Sequence, residues 1–171
     1  MESQINVLNR QSILIRNILF DIAAVTLIIF TPAFSHLTAI PIWMIEPMRI
    51  LVILALLHTR SANAFALALI LPFTSWLTSG HPELIKMVII TAELLANAFI
   101  FLLIKQMFQN LFLSVLVSIV ASKIFCYLLY LIVFPISFFI SESEPDFLLV
   151  QIVLSFVLAG YGFMTGMKKT N

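Results

Sequence analysis

Long runs of apolar residues, broken only by short clusters of Pro, Gly, Ser and charged residues, organise this chain. Six runs stand out, over residues 12–30, 41–57, 61–79, 82–104, 111–134 and 147–166. They do not alternate apolar with polar positions, as a strand with one wet face would. Each is close to the roughly 20 residues that a helix needs to cross a bilayer. Lipid offers the backbone no hydrogen-bond partner, so such runs are helical by default. The breaks carry turn chemistry: Thr31-Pro32 follows the first run and Gly80 the third. Pro41 and Pro47 fall near the start of the second, where proline is best tolerated. The pattern predicts an all-α integral membrane protein: six transmembrane helices in a compact bundle, forming a single membrane domain over 1–171.

Composition narrows the function classes. Of 171 residues, 62% are hydrophobic and only 10% charged, against about 25% charged in a soluble domain. Soluble enzymes and nucleic-acid binders are excluded, and the net charge of +1 implies no polyionic partner. Cys126 is the single cysteine, so no internal disulfide or cysteine metal cluster is expected. His36, His58 and His81 lie far apart, and no H-E-x-x-H, G-x-S-x-G or P-loop pattern occurs. Neither catalysis nor a cofactor or metal is expected.

Charge position says more than charge count. Arg10, Arg16, Arg60, Lys105, Lys168 and Lys169 all fall on one side of a six-helix path. The opposite loops, 31–40, 80–81 and the acidic 141–146, hold no Lys or Arg. The positive-inside rule then places both termini in the cytoplasm. Asp21 within the first apolar run argues against reading that run as a cleaved signal peptide.

Three ionisable residues, Asp21, Glu93 and Lys123, sit near helix centres, where each costs about 2.5–3.5 kcal/mol to insert. Glu93 and Lys123 lie at similar depth on adjacent antiparallel helices, so they are expected to pair or to face one polar cavity. A buried pair that merely fixes helix register fits as well. At about 100° per residue, Lys86, Glu93 and Asn97 share one stripe of the fourth helix, and Lys123, Tyr127 and Tyr130 one of the fifth. Polar stripes on membrane helices normally face protein or water. Trp43, Glu46 and Arg49 open the second helix; Trp76, Thr78 and His81 close the third. Small residues at Ala23, Ala24, Ala62, Ala64, Ala66 and Ala68 allow close helix approach, for partner docking or for internal packing.

The segments Glu46-Pro47-Met48-Arg49, Leu71 through Pro82 (LPFTSWLTSGHP) and Ala92-Glu93-Leu94-Leu95-Ala96-Asn97 form an ordered pattern, with Ser122-Lys123 in the next helix. This pattern resembles the substrate-binding S components of energy-coupling factor (ECF) vitamin transporters, over about half the chain. Arg49 stands where the family has histidine, and Asn97-Ala98 where it has Tyr-Gly. The resemblance implies a specificity subunit in the cytoplasmic membrane of a bacterium, binding a vitamin-like small molecule near the outer face. Its implied partners are a membrane coupling protein and two ABC-type ATPases. By position it assigns Trp43, Glu46, Arg49, Trp76, His81, Lys86, Glu93, Asn97 and Lys123 to the pocket. Arg49, Lys86 and Lys123 suggest a ligand with a carboxylate or another acceptor-rich group. Two other classes fit the residues alone: a small structural or assembly membrane protein, and a stand-alone proton-coupled carrier.

Overall fold

The computed structural model describes residues 2–39, 41–133 and 145–170. Among these the chain is all-helical, with no strand. Its six helices are α1 (Glu2–Thr38), α2 (Pro47–His58), α3 (Ser61–Ser79), α4 (Leu84–Phe108), α5 (Leu111–Val133) and α6 (Pro145–Thr170). A 3-10 turn, Ile42–Ile45, precedes α2. Five of the helices, all but α2, are long and apolar enough to cross a membrane. The chain is therefore a multi-pass membrane protein by the length and apolarity of its helices.

The third, fourth and fifth runs became helices close to their expected bounds. The first did not stop at Thr31-Pro32. α1 continues through Pro32 to Thr38, although Pro32 cannot donate to the Ile28 carbonyl. Thr31 Oγ1 donates to the Leu27 carbonyl at 2.8 Å, and Thr38 Oγ1 to that of Phe34 at 2.7 Å, so the far end keeps local hydrogen bonds. Pro72 is tolerated inside α3 in the same manner, with Thr74 Oγ1 donating to the Leu71 carbonyl at 2.9 Å. The acidic loop assigned to 141–146 lies outside the described residues, apart from Pro145 and Asp146, which open α6.

The second run is the larger correction. Residues 41–57 do not form one crossing helix. The left-handed backbone of Glu46 (φ 48°, ψ 59°) separates the 3-10 turn from α2. The 12 residues of α2 rise only about 18 Å, well short of the roughly 30 Å hydrocarbon core. What α2 lacks in length it makes up in burial. Arg49, Leu51, Val52, Ile53, Ala55, Leu56 and Leu57 are all buried, and α1, α3, α4 and α6 pack around it. A helix apolar on every side belongs in the middle of a bundle.

Close packing depends on small residues, because lipid supplies no hydrophobic drive between helices. α4 and α5 form the most extensive contact; Ala98 is fully buried on α4, and Ser114, Ser118 and Ser122 are buried one per turn of α5. Each serine hydroxyl donates to a nearby backbone carbonyl: Ser114 to Asn110, just before the helix, at 2.7 Å, Ser118 to Val115 at 2.9 Å and Ser122 to Ile119 at 3.0 Å. On α6, Gly162 and Gly166 admit the start of α5. A Cβ at Gly162 would stand 3.1 Å from Val115 Cγ2 and 3.4 Å from the Leu111 carbonyl oxygen.

Candidate functional site

The joint before α2 places the first two polar residues. Pro47 occupies the first position of the helix, where its missing N–H costs nothing. The Glu46 carbonyl accepts from Arg49 N at 3.0 Å and Ile50 N at 3.2 Å. Upstream, Glu46 N donates to the Trp43 carbonyl at 3.1 Å, and Ile42 N to Ser35 Oγ of α1 at 3.2 Å. Glu46 is thus held at a joint in a conformation that costs a non-glycine residue about 1–2 kcal/mol. One turn on, Arg49 enters the bundle and is only 4% exposed.

α4 and α5 complete the site. Arg49 Nη2 donates to Glu93 Oε1, and Arg49 Nη1 lies 2.6 Å from Glu46 Oε2. Lys123 Nζ donates to Glu46 Oε1 and lies 3.4 Å from Glu93 Oε1. The four side chains close a ring in which acid and base alternate, Glu46–Arg49–Glu93–Lys123. Two positive and two negative groups balance within it, which offsets the desolvation of the buried Arg49 and Glu93. Next to it, Asn97, fully buried one turn after Glu93, donates from Nδ2 to Ser122 Oγ at 3.2 Å. Three buried hydrogen-bonding atoms here lack a directed bond: Glu46 Oε2, Arg49 Nε and Asn97 Oδ1. Such atoms normally find a partner in protein, water or ligand.

Of the nine residues assigned to a pocket, the structure brings five together: Glu46, Arg49, Glu93, Asn97 and Lys123. The expected Glu93–Lys123 proximity is present, but Arg49 and Glu46 share both partners. Lys86 is partly buried, two turns before Glu93 and about 10 Å away along the helix. Trp43 is exposed on the 3-10 turn. Trp76 stacks on Phe73 at 5.9 Å between ring centroids. His81 is exposed, and its carbonyl accepts from Ser75 Oγ at 2.8 Å and Ser79 Oγ at 3.1 Å. A groove of about 340 Å³ opens beside Ile45, lined by apolar residues of α6 including Leu149, Val153 and Val157.

The alanines divide. Ala24, Ala64 and Ala68 are buried in the core and serve internal packing; Ala23, Ala62 and Ala66 remain exposed. Asp21, which no base on its own helix faces, accepts from Asn63 Nδ2 of α3 at 2.7 Å. Sequence reading missed that partner, although Asn63 is the one amide in an alanine-rich helix start. It also missed Ser122 and the 2.7 Å hydrogen bond between His58 Nε2 and the Tyr161 hydroxyl, which ties α2 to α6. Among the described residues, no three His, Cys, Asp or Glu side chains gather as a metal site.

The chain matches no protein family, no curated protein and no solved structure.

Proposed function

We propose that this chain is the substrate-binding membrane subunit of a micronutrient importer of the ECF kind, and that the charged ring with Asn97 is its ligand site. One observation carries the reading. Four ionisable side chains from the α2 joint, α4 and α5 converge in an otherwise apolar bundle, with polar atoms left unmatched around them. Ionisable groups within membrane helices are expensive and mark substrate or ion pathways by default. Six crossings with both termini cytoplasmic fit the basic residues; the 3-10 turn and α2 together make the second. The site then lies toward the outer face, where a nutrient arrives. Binding is its task, and energy comes from a membrane coupling protein and two ABC-type ATPases in a bacterial cytoplasmic membrane.

Thermal unfolding of the purified protein against a vitamin panel tests the binding half. A compound that raises the midpoint in the wild type but not in Lys123→Ala supports it; no stabiliser in the panel counts against it. Affinity purification from the native membrane tests the assembly half, with coupling protein and ATPases as the expected companions.

The neutrality of the ring favours one other reading, a structural element of a small assembly protein. In that case ring variants change stability alone, and no small molecule is retained.

A further inference from the structure

We propose that the Glu46 carboxylate is a placeholder, holding in the unliganded protein the position that a carboxylate of the bound molecule takes. The ligand class is then a small organic acid or zwitterion presenting one carboxylate. This inference rests on the substrate-binding reading above.

Attachment is the first ground. Arg49 and Lys123 are each held by both Glu46 and Glu93. Glu93 sits in mid-α4, fixed by a continuous helix. Glu46 sits outside regular helix, at the joint between the 3-10 turn and α2, with φ 48°. Moving its carboxylate aside costs the hydrogen bonds of that joint, such as Glu46 N to the Trp43 carbonyl, but breaks no helix that crosses the bilayer. Among the four ring members only Glu46 stands outside a helix.

Fit is the second. Glu46 Oε2 is 2.6 Å from Arg49 Nη1 yet makes no directed hydrogen bond, and Arg49 Nε has no partner. A guanidinium presents a planar fork that a carboxylate meets best with two parallel bonds. A carboxylate three residues away on the same segment is not aimed to do that. A ligand's carboxylate, unconstrained by the chain, can align with the Nη1 edge of the guanidinium that Glu46 meets out of line.

Charge is the third. The ring is neutral, so an anion added to it intact would leave an unmatched charge in low dielectric. An entering carboxylate must therefore displace one of the acids. With Glu46 gone, Arg49 and Lys123 keep Glu93, and one ligand carboxylate restores neutrality. Asn97 Oδ1, fully buried and unpartnered, offers an acceptor to an N–H or O–H of the same molecule.

The test is chemical rescue in the full-length protein, with acetate as the probe. Glu46→Ala is expected to unfold at a lower temperature than wild type. Sodium acetate should raise that midpoint saturably above sodium chloride of equal ionic strength, with no such rise in the wild type. Acetate indistinguishable from chloride in the variant, or equally effective on wild type, would overturn the proposal. Should Glu46→Ala not fold, Glu46→Gln keeps the shape and removes the charge. Acetate should then bind it more tightly than wild type by about tenfold or more, the weight of one charge-assisted hydrogen bond; equal or weaker binding overturns the proposal. If the wild type binds no metabolite, the importer reading falls and the placeholder with it; a wild type that binds a metabolite while Glu46→Ala takes no acetate overturns the placeholder alone.

Discussion

Arg49 carries the most consequence per atom. It is buried, it bridges Glu46 and Glu93, and its removal strands two carboxylates with only Lys123 between them. Breaking a buried pair from one side typically costs about 3–5 kcal/mol, whereas replacing all partners by apolar groups is often neutral. Arg49→Ala is therefore expected to lose about that much stability in a denaturant titration. Replacing all four ring residues together by Met or Leu should cost less than Arg49→Ala alone while abolishing ligand binding. A quadruple replacement costing more than the single one would mean that the ring is chiefly a structural brace. Asn63→Ala probes the smaller polar contact. Losing its bond to Asp21 should cost about 0.6 kcal/mol, the average for hydrogen bonds between membrane helices, and no more than about 1.7 kcal/mol. At this scale the sequence was partly legible. Glu93 and Lys123 announced themselves as charges in apolar runs, and their similar depth followed from helix order. Their sharing of Arg49 and Glu46 did not, because a left-handed residue at 46 cannot be foreseen in a glutamate, which ordinarily avoids that conformation.

Helices meet where side chains are small, and α6 shows how sharply that is drawn. Gly162 and Gly166 lie against Leu111 and Val115 of α5, whereas a Cβ at Gly160 would meet nothing within 4 Å. Gly160→Ala should be neutral or stabilising by up to about 1 kcal/mol, from helix propensity alone. Gly162→Ala should be the less stable of the two, because its Cβ would stand 3.1 Å from Val115 Cγ2, on a β-branched side chain with little rotamer freedom to give way. Thermal unfolding of the two variants side by side checks this, and a reversed order would contradict the α5–α6 packing. Element existence was readable throughout, since continuous apolar runs admit few alternatives in lipid. Element ends were not. Pro32 reads as a stop in water, yet α1 passes through it, with the hydroxyls of Thr31 and Thr38 bonding carbonyls of the same helix on either side. The run 41–57 reads as one helix by apolarity alone; its break falls at the single acidic residue before Pro47, whose side chain turns inward to the ring.

Among the described residues, five long helices pack with a short buried one, and that short helix carries the buried Arg49. Orientation can be checked in a Cys126→Ala background with single cysteines. Positions 60 and 105 should react with a membrane-impermeant thiol reagent only from the cytoplasmic side, and position 80 only from outside. Labelling of position 80 from the cytoplasm would invert the topology and place the ring on the wrong side for uptake. The long apolar helices were legible from the runs, and the basic residues carry the proposed orientation; the inward lodging of the second segment was not legible, because burial on all sides and exposure to lipid demand the same apolar composition.

The central claim is that the ring binds a small molecule. Native mass spectrometry of the protein, extracted gently from its own membrane, tests it most directly. A bound small molecule on the wild type, absent from Arg49→Ala that remains folded, is the expected result. Wild type carrying no small molecule, or Arg49→Ala retaining the same one in equal amount, would contradict it.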